Sequence, residues 1–106
     1  GRYSIPVSLV FLDIDRFKSL NDTYGHSFGD VVLSEVAESL RGIARTSDVV
    51  ARYGGEEFVI ILPEQDLAGG VNMAERARTA IESLDLSHNG EVVPVSASFG
   101  VSSTVE

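Results

Sequence analysis

A chain of 106 residues with 43% hydrophobic and 23% charged residues has the size and composition of one small globular domain. Its formal net charge of −8 speaks against a nucleic-acid polymer as partner, because phosphate-backbone affinity comes from clustered Lys and Arg; a single small phosphorylated ligand stays compatible through a bridging Mg²⁺. The lack of cysteine excludes disulfides and thiolate zinc sites, and no apolar run approaches the ~20 residues of a membrane span.

The first predicted element is a buried strand over roughly Ser8 to Ile14, rich in β-branched and aromatic residues. A short helix or turn follows from Arg16 to about Asp22, and Thr23-Tyr24-Gly25-His26 reads as a loop. Ser27 can cap a helix with Asp30 in the capping-box position; Leu33, Val36, Leu40 and Ile43 form its buried stripe as far as about Ala44. Two apolar runs around Gly54-Gly55 predict a hairpin over Val49 to Leu62, closed by a tight turn of positive φ and stopped by Pro63. Asp66 is a candidate cap for a second long helix reaching about Leu84, with Leu67, Val71, Ala74, Ala77, Ile81 and Leu84 turned inward. Asn89-Gly90 marks a turn, and Val93, Val95, Ala97, Phe99 and Val101 alternate on one face of a last strand. The order β-α-β-β-α-β predicts an α+β fold with a mainly antiparallel sheet and helices on one face, a single domain over residues 1–106.

Two acidic motifs stand out. Asp13-Ile14-Asp15 ends the first strand, and Asp13 and Asp15, two apart, project to the same side. Buried carboxylates are costly unless paired, hydrogen-bonded or bound to metal. Metal ligation is favoured for Asp13, while Asp15 serves equally well as a cap of the following segment. Glu56 and Glu57 follow the hairpin glycines, and only one of two adjacent strand residues can face a given site. Asn21 reads alone as a turn residue, Lys18 as a surface lysine, and Arg45 as a cation at a helix end.

Several spaced motifs together resemble the GGDEF family of diguanylate cyclases, in its GGEEF variant. They are Asp13-Ile14-Asp15-Arg16-Phe17-Lys18, Asn21-Asp22-Thr23-Tyr24-Gly25-His26 with Gly29-Asp30, Arg52-Tyr53-Gly54-Gly55-Glu56-Glu57-Phe58, and Ser96-Ala97-Ser98-Phe99-Gly100-Val101. The resemblance implies a palm-like, nucleotidyl-cyclase-like core that condenses two GTP molecules into cyclic di-GMP and pyrophosphate. It implies Asp13, Glu56 and Glu57 as catalytic residues. Asp13, Glu56 and the carbonyl of Ile14 would hold Mg²⁺ or Mn²⁺, two ions per active site. Asn21 and Asp30 would read guanine, with Phe17, Lys18, Gly54 and Gly55 around the phosphates. Arg45, Asp48 and Arg76 match the family's product-inhibition site.

The family also implies a homodimer, a fused regulatory or sensor domain, and a cytoplasmic setting, free or as the cytoplasmic part of a membrane-anchored protein. Family segments upstream and downstream are missing, so the chain is expected to be a core fragment truncated at both ends. Two alternatives stay open: a non-catalytic module binding cyclic di-GMP or GTP, and a haloacid-dehalogenase-like phosphatase, whose nucleophile motif is also a strand ending Asp-x-Asp.

Overall fold

In the computed structural model, which describes residues 5–104, the first strand β1 runs Val7–Ile14. Two helices follow, α1 over Phe17–Tyr24 and α2 over His26–Ile43. The hairpin strands are β2, Val49–Arg52, and β3, Glu57–Pro63. Helix α3 spans Leu67–Glu82, and two-residue strands β4, Ser87–His88, and β5, Glu91–Val92, form a small hairpin before β6, Ala97–Ser103. The main sheet has the order β2-β3-β1-β6 and every pairing is antiparallel. This is the expected α+β architecture.

The sheet is two-sided because strand residues alternate. Val10, Leu12 and Ile14 of β1 and Phe58, Ile60 and Leu62 of β3 are buried in one core. Val32, Val36 and Leu40 of α2 and Met73, Ala77 and Ile81 of α3 complete it. Truncating one of the larger of these, such as Leu12→Ala, would cost about 2–5 kcal/mol. The opposite face carries Leu9, Phe11 and Asp13 on β1, with Phe11 exposed and its ring edge-on to Tyr53.

Several boundaries differ from expectation. Thr23 and Tyr24 belong to α1 and His26 to α2, so Gly25 alone separates the helices, at φ 94°. Ser27 therefore lies inside α2 and caps nothing, and Asp30 has no capping-box duty. Asp66 does cap α3, its Oδ1 accepting the Gly69 N–H at 3.0 Å. The buried face of α3 is rotated from the expected stripe: Gly70 and Met73 turn in, and Val71 is exposed. Val93 and Val95 are buried but precede β6, because Pro94 between them has no N–H to give a ladder. His88 lies in β4, with its ring 5.5 Å from Tyr24 and 5.2 Å from Phe28, so the β4–β5 hairpin docks on both helices.

Candidate functional site

The carboxyl end of β1 lies between β3 and β6. The Ile14 N–H donates to the Glu56 carbonyl at 3.1 Å, and the Asp15 N–H donates to the Ser96 carbonyl at 2.9 Å. In register, Asp13 stands opposite Glu57 on one side and Ser98 on the other, and contrary to expectation it is exposed, because it lies on the face of β1 turned away from the core. Directly opposed strand residues share a face, so the structure brings Asp13 together with Glu57. Glu56 is one residue earlier, in the hairpin loop, tied to β1 through its main chain. Like charges facing each other across a sheet are unfavourable, and among the described residues none of Asp13, Glu56 and Glu57 has a salt-bridge partner.

The hairpin loop differs from the tight turn expected. Four residues, Tyr53 to Glu56, join β2 to β3, and neither Gly54 nor Gly55 has positive φ. The loop is closed by the Tyr53 N–H donating to the Glu57 carbonyl at 3.1 Å and the Arg52 Nε–H donating to the Gly54 carbonyl at 3.1 Å. The Glu57 carboxylate folds back over Gly54, where a Cβ would make it swing away. Arg52 was not singled out from the sequence; its place at the end of the strand run, two residues before Gly54, is the signal that could have marked it as a loop staple.

Asp15 caps no helix. Arg16 occupies the cap position of α1, with φ 53° and no side-chain cap bond. The Asp15 carboxylate instead accepts the hydroxyls of Ser96 at 2.7 Å and Ser98 at 2.6 Å. These two bonds, Ser98 first, hold its pKa below the ordinary carboxylate value despite an opposing contribution from burial.

Asn21 lies against Gly29, the residue before Asp30, where α1 packs on α2. A Cβ on Gly29 would collide with Asn21 Oδ1 and press on Phe17, so glycine at 29 lets the two helices approach. Asn21 Oδ1 is buried and has no hydrogen-bond partner among the described residues, an arrangement that costs free energy unless a ligand satisfies it. Asp30 is exposed and lines a cavity of about 360 Å³ with Leu33, Arg41, Arg52 and Phe58. Phe17 is buried at the start of α1, whose first amide groups have no helical acceptors. The Lys18 ammonium pairs with Asp22 at 3.2 Å on the exposed side of the helix.

Arg45 and Asp48 lie at the other end of β2. Asp48 accepts from the Arg45 main-chain N–H at 2.7 Å and from its guanidinium at 2.7 and 3.1 Å; the guanidinium also donates to the Pro63 carbonyl at 2.8 Å. The Asp48 side chain is fully buried. Burial raises its pKa, but the Arg45 bonds outweigh it and leave the value lowered. Arg76 donates to the Ile43 carbonyl at 3.2 Å and lines a cavity of about 410 Å³ with Arg45, Gln65 and Asn72. The structure therefore keeps Arg45, Asp48 and Arg76 at a different end of the hairpin from Asp13, Glu56 and Glu57.

Among the described residues no cluster of three or more His, Cys, Asp or Glu could cage a metal by itself. The donor set at the end of β1 still suits Mg²⁺. That ion takes one or two carboxylates and completes its octahedron with waters and substrate phosphates, and the strand end offers unpaired carboxylates beside the Ile14 main chain. Among the described residues no helix is long and apolar enough to cross a membrane.

Comparison with known proteins agrees with this geometry. The profile described as diguanylate cyclase, GGDEF domain, matches residues 2–106. Diguanylate cyclase A of Treponema denticola is 43% identical over 103 residues, which cover 97% of this chain and 28% of that protein. The crystal structure of the diguanylate cyclase SiaD in complex with its activator SiaC from Pseudomonas aeruginosa superposes with TM-score 0.90 at 38% identity, covering 97% of this chain and 40% of that one. The active GGEEF domain of a diguanylate cyclase from Vibrio cholerae gives TM-score 0.88 at 31% identity, covering 99% and 66%. The chain thus spans about a quarter of the length of this curated relative. With the palm-like fold, the ordered motifs and the matched profile together, the chain belongs to the GGDEF-domain family.

Proposed function

We propose that this domain is the catalytic core of a diguanylate cyclase. The observation that carries the reading is the unpaired, like-charged Asp13 and Glu57, opposed in register, with Glu56 anchored beside them through the Ile14 N–H. Such a constellation calls for a divalent cation. Asp13, Glu56 and the Ile14 carbonyl would hold Mg²⁺ or Mn²⁺, two ions per site, which when bound supply positive charge to the attacking and leaving oxygens of an in-line displacement.

The chain's own residues do the rest. The amides of Phe17 and Lys18 at the start of α1 receive phosphate oxygens, as helix N-termini do. Asp30 accepts from guanine N1–H and the 2-amine, and Asn21 meets the other polar edge of the base. Glu57 faces the reacting hydroxyl from the strand opposite Asp13. The 3′-hydroxyl of each GTP then attacks the α-phosphate of the other and gives up its proton towards Glu57; two phosphodiester bonds form, the bonds from the two α-phosphates to their β-phosphates break, and two pyrophosphates leave. Each domain holds one GTP, so two copies must face each other and the working protein is a homodimer. Fused regulatory domains and a cytoplasmic supply of GTP complete this reading.

A regulatory role for the far end of the hairpin is part of the proposal. Arg45 and Arg76 border one cavity, and a guanidinium pairs with phosphate and stacks on guanine. Cyclic di-GMP bound there would take over the contacts Arg45 now makes with Asp48 and Pro63. Arg45→Ala should then relieve late inhibition and leave the initial rate nearly unchanged.

The deciding experiment uses the complete parent protein, incubated with GTP and Mg²⁺ and assayed chromatographically for the cyclic dinucleotide. Product is expected from the wild type and almost none from Glu56→Gln, which keeps the shape but removes the charge. A dimeric wild type that makes no product sinks the reading, and normal turnover by Glu56→Gln removes Glu56 from the metal site.

A further inference from the structure

The reading above leaves Asp15 without a role. We infer that Asp15 is a positioning residue, clamping the β1–α1 corner to Ser96 and Ser98 so that the amides of Phe17 and Lys18 keep their aim at the nucleotide phosphates. The phosphate half of this inference rests on the proposed function.

Three bonds join Asp15 to one short segment. Its N–H donates to the Ser96 carbonyl, one carboxylate oxygen accepts from Ser96 Oγ and the other from Ser98 Oγ. Ser96 and Ser98 are two apart, so both hydroxyls come from the same side of the strand entering β6. Their segment is itself fixed, since Val93 and Val95 just before it are buried in the core. Asp15 therefore connects a rigid neighbour to a corner that needs support. Arg16, the next residue, holds a left-handed conformation at φ 53° and ψ 38°. For a residue with a Cβ this costs about 1–2 kcal/mol and persists where the surroundings over-determine it.

On the helix side, the Leu20 N–H donates to the Arg16 carbonyl at 3.0 Å, and no side chain caps α1. The direction of the first α1 amides is thus set by the corner, and the corner by Asp15. This differs from Asp13, which has no such hydroxyl donors among the described residues.

The test uses the complete parent protein and three variants: Asp15→Asn, the pair Ser96→Ala with Ser98→Ala, and all three changes together. GTP affinity is read by calorimetry, and hydrogen exchange of the peptide covering Ile14 to Leu20 by mass spectrometry. A clamp predicts that the Asp15 and double-serine variants each weaken GTP binding by roughly tenfold, the size of one lost charged hydrogen bond. The triple variant should be no worse than either, since contacts in one network do not add. Exchange at the corner should quicken in all three. Asp15→Asn abolishing turnover while the serine variants behave as wild type would make Asp15 a metal ligand and overturn the inference. Lowered thermal stability with unchanged GTP affinity would make the contacts merely structural and also overturn it. A wild-type parent that fails to bind GTP removes the functional reading, and the clamp then stands on faster corner exchange or falls on unchanged exchange.

Discussion

The two ends of the β2–β3 hairpin carry opposite kinds of polar site. At the loop end, Asp13 and Glu57 oppose each other, and among the described residues no cation is paired with them. At the far end, Arg45 and Asp48 satisfy each other at 2.7 Å, with the Pro63 carbonyl as a third member. β3 is seven residues long, so roughly 20 Å of strand separates them. The contrast concerns what each end lacks. The loop end carries exposed and half-exposed carboxylates with no protein cation paired to them among the described residues. The far end is complete, so a ligand there must take the place of contacts already made. Stability and ligand response should therefore divide between the two ends in opposite ways.

The largest effect is expected from Asp13→Asn. In the parent protein it should lower turnover by about a hundredfold or more, the usual loss when one preorganised charge is removed. In the same variant, metal-free buffer should give a thermal midpoint equal to or above wild type, because a like-charge opposition worth about a few tenths of a kcal/mol disappears. A lowered midpoint with normal turnover would mean that Asp13 is structural and the contrast is false.

Next comes base choice. Asp30→Ala should weaken GTP binding by about 1.5–3 kcal/mol, a lost charged hydrogen bond, and ATP binding much less. Calorimetry on the folded variant measures both. Since Asp30 caps nothing in the structure, equal losses would point to a general effect on the cavity it shares with Arg41 and Arg52.

The sequence showed the sheet, the long helices and the two acidic motifs because each is written in local signals. A β-branched and aromatic-rich apolar run marks the first strand, three-to-four spacing marks Val36 and Leu40, and Asp66 before Leu67 marks a cap. The misread features depended on distant partners or on backbone angles. Ser27 has cap chemistry, but Gly25 had already turned the chain, so α2 starts before it. Two glycines suggested positive φ, whereas neither has it, and the Glu57 side chain three residues on folds over Gly54. Asp15 resembles a ligand or a cap until Ser96 and Ser98, more than eighty residues later, reach it. Its i, i+2 serines are visible in the sequence, but the pairing of β1 with β6 that joins them is not.

At the far end, Asp48→Ala should cost about 2 kcal/mol in denaturant unfolding, because it removes several charge-assisted bonds from a buried carboxylate. The pH dependence has a definite sign. The folded pKa of Asp48 is lowered from an unfolded value of 3.8, so the unfolded state binds the proton first as acid is added. Its contribution is complete above pH 3.8 and is lost as pH falls through the folded value. Asp48→Asn should flatten the stability curve below about pH 4 and leave it parallel to wild type near neutrality. An unaltered acid limb would show that the pair contributes nothing in solution.

The smallest effect is expected at Lys18. Its pair with Asp22 is on the surface, with the lysine side chain 92% and the aspartate 65% exposed. Such i, i+4 pairs contribute about 0.3–0.5 kcal/mol and are screened by salt. Lys18→Ala should barely move the unfolding midpoint. Nor should it matter much for the nucleotide, because the proposed phosphate contact is the Lys18 main-chain amide, which alanine keeps. GTP affinity should change by less than about twofold, roughly 0.4 kcal/mol. A salt titration sharpens the comparison. If the ammonium leaves Asp22 to bind phosphate, Lys18→Ala will lose far more affinity at low salt than at high salt. That outcome would move the phosphate contact from the corner amides to a mobile surface charge, and the loop end would no longer be a site set by backbone geometry.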